Sequence, residues 1–282
     1  MEIRNVFIQG AGVMGSGIAQ VVAQAGFNVI LNDLRADLLE KAVRSIDKSL
    51  QKAVEKGKLT PDQKERSLKG IETTTDVTSA KSCDLVIEAV FEDLSVKRKV
   101  FEELDKLCPG HTILATNTSS LPVSGIASAT KRPHKVVGVH FMNPVPLIKG
   151  VEIIRAIETS AETFQTVKDF VLKIGKEPVE AVDYAGFIVS RILDAMLNEA
   201  VRCVMDGNKP EEIDKAMKIC TNFPMGPLEL IDLAGADIVL HGLETMEKDL
   251  GDHFHPSPLL RQMVRAGHLG RKTGIGFYKY KG

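Results

Sequence analysis

The stretch "VVGVHFMNPVPLIKGVEII", residues 136–154, sets a histidine, an asparagine and a glutamate around a double-proline break. His140 ends an apolar run, Asn143 and Pro144 interrupt the chain, and Glu152 follows twelve positions after the histidine in a second β-rich run. Imidazole exchanges a proton near neutral pH, which suits it to take the proton from an alcohol undergoing oxidation. A carboxylate on the other ring nitrogen fixes the tautomer and stabilises the imidazolium that forms. The two side chains meet if 143–150 is a turn that folds strand 151–155 back beside strand 136–140. Asn143, and Ser119 in "NTSS" (117–120), can then donate or accept hydrogen bonds at the reacting oxygen or at an amide of the hydride acceptor. Each residue also has a plainer reading. A lone strand-end histidine more often makes a structural hydrogen bond, and Glu152 can pair with Arg155 or Lys149 at the surface.

Oxidation also needs a hydride acceptor, and "GAGVMG" (10–15) offers a place for one. The turn Gly10, Ala11, Gly12, Val13, Met14, Gly15 matches G-x-G-x-x-G, a weak signal alone. Here it follows the apolar run "VFIQG" (6–10) and opens a helical pattern over 15–26, and Asp33 lies eighteen residues past Gly15 at the end of the next run. Gly10 permits the tight turn, Gly12 lets a pyrophosphate approach the backbone, and Gly15 allows close helix–strand packing. The unpaired N–H groups of the helix N-terminus suit phosphate. Asp33 can bind both adenosine ribose hydroxyls and would repel a 2′-phosphate, favouring NAD over NADP; Arg35 nearby works against that preference. A glycine-rich turn without a ligand is the bland alternative, and the context disfavours it.

These residues require a scaffold that gathers them. "NVILND" (28–33), "CDLVIEAV" (83–90), "TILATN" (112–117) and "KVVGVHF" (135–141) are continuous apolar runs, the pattern of parallel strands covered on both faces. Helical patterns over 36–58, 94–107 and 121–129 separate them. The alternation predicts a Rossmann-type, doubly wound α/β domain, whose ligands lie beyond the carboxyl ends of the strands, where the glycine turn, Ser119 and His140 fall. Near Asp183 the texture changes. "AGFIVSRILDAMLNEAVRCVMDG" (185–207) and "NFPMGPLELIDLAG" (222–235) are helical, while 255–260 and 270–280 read as loops and a tail. The expected domains are 1–183 and a mainly α-helical 184–282.

Composition narrows the partners. Lys plus Arg (36) nearly balance Asp plus Glu (37) at a net charge of −1, which argues against nucleic acid or a membrane surface as the main partner. No stretch reaches the roughly 20 apolar residues of a membrane helix. The opening "MEIRNVFIQGAG" enters a strand at once and leaves no room for a signal peptide. Cys83, Cys108, Cys203 and Cys220 have neither metal-site nor disulfide spacing, so reduced thiols and a cytoplasmic location are expected, with two of the four in or near the core. "HFH" (253–255) lacks a third ligand, so no metal is expected. His111, His134, His241 and His268 read as loop or helix-surface residues.

"GAGVMGSGIAQ", "NTSSLP", "HFMNPVPLIKGVEII", "GFIVSR", "FPMGPLELIDLAG" and "GRKTGIGFYKY" together resemble the L-3-hydroxyacyl-CoA dehydrogenase family in order and spacing over essentially the whole chain. The resemblance implies an NAD-binding domain followed by a helical domain that dimerises, acting on an acyl-CoA. It implies His140 as catalytic base, Glu152 as its partner, Ser119 in contact with substrate and cofactor, and Asn143 at the nicotinamide end and the substrate. Glu92, Lys97 and Lys272 match family cofactor contacts, and the CoA moiety is implied near Ser49 and Lys56. For the last pair the residues speak separately: Ser45, Ser49, Lys52 and Lys56 share one helix face, with Lys41 and Lys48 close to it, though a solvated face broken by Asp47 and Glu55 fits as well.

The chain departs from the family at "GFIVSR", where Ser190 stands in the position usually held by a catalytic asparagine; Ala185 replaces a common proline and Gly150 a larger apolar residue. A hydroxyl is shorter than an amide and lacks its separate donor and acceptor. Slower turnover is expected, with the His140–Glu152 pair intact. Two alternatives stay open. A β-hydroxyacid dehydrogenase on a free acid would need a lysine that "SRILDAMLNEA" (190–200) lacks, and a non-catalytic NAD-binding relative is favoured only by Ser190.

Overall fold

A computed structural model describes residues 2–280 of the chain, so the outermost ends of the two expected domains, residue 1 and residues 281–282, lie outside the described residues. Two compact units divide between Asp183 and Tyr184.

In the first unit, strands β1 (Asn5–Gln9), β2 (Asn28–Asn32), β3 (Ile71–Thr74), β4 (Leu85–Glu88), β5 (Ile113–Thr116), β6 (Val136–Phe141), β7 (Gly150–Arg155) and β8 (Glu177–Val182) form one sheet in the order β3-β2-β1-β4-β5-β6-β7-β8. Every neighbouring pair is parallel except β6 and β7. Helices α1 (Val13–Gln24), α2 (Ala36–Glu55), α3 (Pro61–Lys69), α4 (Leu94–Leu107), α5 (Val123–Ala127) and α6 (Ala161–Lys173) connect the strands. The central strands β4, β5 and β6 are buried at every position, as the continuous apolar runs required. Ile8, Ile18, Leu31, Leu50, Ile87, Val139 and Ile153 belong to one apolar core. The sheet is the doubly wound arrangement expected from the sequence, and its order reverses between β1 and β4, where the glycine turn leaves β1.

Two glycines make that turn possible. Gly10 has φ +106°, and a Cβ there would lie 2.5 Å from the Ala89 carbonyl oxygen. A Cβ on Gly15 would fall 1.7 Å from the Gly10 oxygen, so helix α1 leaves the sheet too closely for any larger residue.

The second unit is helical: α7 (Val189–Met205), α8 (Pro210–Thr221), α9 (Pro227–Ala234), α10 (Ala236–Leu250) and α11 (Pro258–Arg265), around Leu197, Val201, Leu228, Ile231, Leu243 and Met246. Two expectations are corrected here. The segment 255–260, read as loop, runs into α11, because Pro258 sits in the first turn where its missing N–H costs nothing. The segment 270–280 is no loose tail. Buried Asp232 accepts the Phe277 and Tyr278 N–H groups at 3.0 and 2.9 Å and the Tyr280 hydroxyl at 3.0 Å, and Asp214 accepts the Tyr278 hydroxyl at 2.7 Å.

Candidate active site

The antiparallel pairing of β6 and β7 puts His140 directly opposite Glu152. Cross-strand partners project to the same face, and here His140 Nδ1 lies 2.8 Å from Glu152 Oε2. The histidine is 6 % exposed and the glutamate 1 %, so the pair lies inside the protein and not at its surface. With Nδ1–H donated to the carboxylate oxygen, Nε2 carries the basic lone pair. Arg155 lies over the Phe164 ring, and Lys149 approaches Glu177.

The reversal between β6 and β7 contains a cis Asn143–Pro144 bond. Lys176 fixes this loop from behind: its buried ammonium donates to the Val145 and Ile148 carbonyl oxygens, both at 2.6 Å. Burial pushes the Lys176 ammonium below its ordinary value. Asn143, Val145 and Pro146 form one wall of a cavity of about 290 Å³, and Gly12, Val13 and Gly17 of the glycine turn and α1 form another. The third is the face of α2 that shows Lys41, Ser45 and Ser49. Ser49 thus lines the cavity; Lys56, exposed at the C-cap of α2, is not among its lining residues. Among the described residues, "HFH" makes no metal cluster; His255 pairs with Glu247 at 2.6 Å.

At the ends of β4 and β5 lies a second polar cluster, more elaborate than the sequence suggested. Glu92 Oε1 accepts from Thr118 Oγ1 at 2.6 Å, Ser119 N at 2.8 Å, Ser119 Oγ at 3.2 Å and Ser120 N at 3.4 Å, so one oxygen organises the whole "TSS" turn. Lys97 is 1 % exposed, its Nζ 2.6 Å from Glu88 and 3.1 Å from Glu92. The Lys97 ammonium is thus buried between two carboxylates. Burial works against the lysine's charge, but Glu88 and Glu92 outweigh it and hold Lys97 above its ordinary value. Burial likewise pushes Glu92 up, and Lys97 with the Thr118 and Ser119 hydrogen bonds reverses that, leaving the carboxyl below its ordinary value. Glu88, which sequence reasoning missed, is fully buried and accepts from Val90 N at 2.7 Å and Thr116 Oγ1 at 2.8 Å besides Lys97. Its only signal was an acid inside an otherwise apolar run.

The glycine turn fits a dinucleotide. Gly12 is exposed and a Cβ built on it meets nothing within 4 Å, which leaves open space over the N-terminus of α1. The Val13 and Met14 N–H groups have no carbonyl one turn earlier within α1. Asp33 braces the turn, accepting Ala11 N at 2.8 Å through Oδ2 and Arg35 N at 3.1 Å through Oδ1. A carboxylate has about four acceptor positions, so ribose hydroxyls can still be bound. The Arg35 guanidinium is held by Asp37 at 3.0 and 2.5 Å.

In the second unit, Ser190 is half-buried in the first turn of α7. Lys272 donates to both Asp237 oxygens, at 2.5 and 2.7 Å.

Residues 5–184 match the family described as 3-hydroxyacyl-CoA dehydrogenase, NAD binding domain, and residues 186–280 match its C-terminal domain. The chain is 46 % identical to a probable 3-hydroxybutyryl-CoA dehydrogenase of Bacillus subtilis, over 100 % of this chain and 99 % of that protein. It is 48 % identical to the 3-hydroxybutyryl-CoA dehydrogenase of Clostridioides difficile, over 96 % and 97 % of the two chains. Among solved structures, the (S)-3-hydroxybutyryl-CoA dehydrogenase of Ralstonia eutropha superposes with a TM-score of 0.94 at 40 % identity, covering 100 % of both chains.

Proposed function

This chain belongs to the 3-hydroxyacyl-CoA dehydrogenase family, and from that premise we propose that it interconverts (S)-3-hydroxybutyryl-CoA and acetoacetyl-CoA, with NAD as cofactor. The observation that carries this reading is the buried His140–Glu152 pair at 2.8 Å, placed on the strand ends where a dinucleotide site opens. Bound NAD would supply the acceptor for the hydride that leaves C3 of the substrate. His140 Nε2 takes the hydroxyl proton, and Glu152 holds the ring in the tautomer that leaves Nε2 basic. In the reverse direction protonated His140 returns that proton to the oxygen at C3.

Ser119 and Asn143 position the substrate oxygen and the nicotinamide end, with Ser119 itself held by Glu92. Gly10 to Gly15 and Asp33 hold the pyrophosphate and the adenosine ribose. Arg35, already paired with Asp37, is poorly placed to welcome a 2′-phosphate, which supports NAD over NADP. Lys41, Ser45 and Ser49 along the cavity suit the anionic CoA tail, and Lys56 extends the same helix. Ser190 stands in for the usual asparagine at the thioester, and Lys272 is assigned to the cofactor.

The same reading includes a cytoplasmic homodimer serving butyrate or fatty acid metabolism. Among the described residues no helix is long and apolar enough to cross a membrane, and the four cysteines are free thiols, Cys83 and Cys108 buried. Ile192, Ile219 and Ile238 of the second unit each expose more than half of their surface, which supports self-association there. The test is NADH oxidation by acetoacetyl-CoA, with NADPH and free acetoacetate as parallel controls. Turnover with acetoacetyl-CoA and NADH is expected to dominate; turnover of the free acid alone, or none, overturns the reading.

A further inference from the structure

The Glu88–Lys97–Glu92 cluster carries two carboxylates for one ammonium, and the proposed mechanism leaves that surplus charge unused. Glu88 receives three donors, from Val90 N, Lys97 Nζ and Thr116 Oγ1, which favour its carboxylate against the burial that raises its pKa above the ordinary value. Glu92 receives Lys97 at 3.1 Å and the Thr118 and Ser119 groups. With both carboxylates ionised the trio carries a net charge of −1, and it sits largely out of water, where charge is weakly screened: Glu88 and Lys97 are at most 1 % exposed and Glu92 is 25 % exposed.

Its place in the fold gives the charge a target. The glycine turn takes the pyrophosphate at the end of β1, and Asp33 at the end of β2 takes the adenosine ribose, so the adenosine half occupies the β1–β2 side. The nicotinamide half must then lie over the ends of β4 and β5, the strands that Glu88 and Thr116 terminate. Oxidised nicotinamide carries a positive ring charge, and the reduced ring is neutral. We propose that the surplus negative charge of Glu88–Lys97–Glu92 sets the relative affinity for the two cofactor forms, holding NAD+ more tightly against NADH than a neutral cluster would. Glu88 acts here through Lys97 and Glu92 and is a positioning residue, not a catalytic one. This inference rests on the NAD site of the proposed function and adds to it the source of a redox preference.

Equilibrium titration of the full chain tests it, with NADH followed by fluorescence and NAD+ by competition. In Glu88→Gln the cluster becomes neutral at nearly constant shape, and the ratio Kd(NAD+)/Kd(NADH) is expected to rise on the order of tenfold, the scale of one unit charge acting across a partly buried site. Glu92→Gln removes the same charge from the other side of Lys97 and is expected to shift the ratio in the same direction. It carries the test should Glu88→Gln fail to fold. Thr116→Val takes one hydrogen bond from Glu88 without changing the charge, and the ratio is expected to stay at its original value. An unchanged ratio in the folded glutamine variants, or an equal shift in Thr116→Val, overturns the proposal while leaving the NAD site intact. A wild-type chain that binds neither cofactor form overturns the proposed function and this inference together.

Discussion

At the scale of single residues, proton transfer depends on how much a buried imidazole gains from its carboxylate. General acid–base catalysis contributes roughly 10²–10⁴-fold, so His140→Gln is expected to lower kcat by that range in the acetoacetyl-CoA assay while NADH still binds with unchanged affinity. Glu152→Gln keeps the shape but removes the charge that favours imidazolium, and kcat is expected to fall on the order of 10²-fold. Near-normal kcat in either variant would remove the proton-transfer role. Ser190→Asn should move the other way, because the amide restores a longer arm with both donor and acceptor; an unchanged or lower kcat would show that Ser190 does not limit turnover. The His140–Glu152 pair was legible because an apolar run, a proline break and a second apolar run force a hairpin, and the hairpin's register does the rest. Lys97 was not legible in the same way. Sequence spacing placed it near a strand end, but only the fold reveals that Glu88 lies beneath it and consumes its charge.

At the scale of elements, local signals and tertiary context share the work. Helix α3 was present in the sequence as "TPDQ": Thr60 and Gln63 form a reciprocal capping box, at 3.2 and 2.8 Å, with Pro61 in the first turn, a pattern readable without coordinates. Helix α6 likewise begins at Ser160, which accepts Thr163 N at 3.1 Å. Strand β8 offered less, since it lies at the sheet edge, carries Pro178 and is largely exposed, so no continuous apolar run marks it. The second unit contains an element-scale conflict. Asp194 of α7 lies against α10, where a Cβ on Gly242 would come within 2.5 Å of its carboxylate oxygen. Burial pushes its pKa up to about 7. The unfolded chain ionises this group from about pH 3.9 upward, whereas the folded chain holds its proton until about 7. Stability from this site is thus full in acid and is lost as pH rises between those limits. Asp194→Asn is expected to raise the melting temperature at pH 8 and to lose that advantage near pH 4. A pH-independent difference in thermal unfolding would contradict the assigned titration.

At the scale of the whole molecule, each unit encloses its own apolar core, one centred on the sheet and one among α7, α9, α10 and α11. The groups assigned to the pyrophosphate, the adenosine ribose and the nicotinamide end, Lys272 excepted, all come from the first unit. A chain ending at Asp183 is therefore expected to fold cooperatively and to bind NADH. Circular dichroism on heating and fluorescence titration check the two halves of that statement. Lys272 supplies the quantitative edge. Its ammonium is half-exposed and already paired with Asp237, and an exposed ion pair is worth about 0–1 kcal/mol. Its loss should weaken NADH binding by no more than roughly fivefold, and both the shortened chain and full-length Lys272→Met should fall within that limit. A shortened chain that folds yet binds NADH a hundredfold more weakly would place the decisive cofactor contacts in the helical unit, and the assignment of the cofactor to the sheet would have to be redrawn.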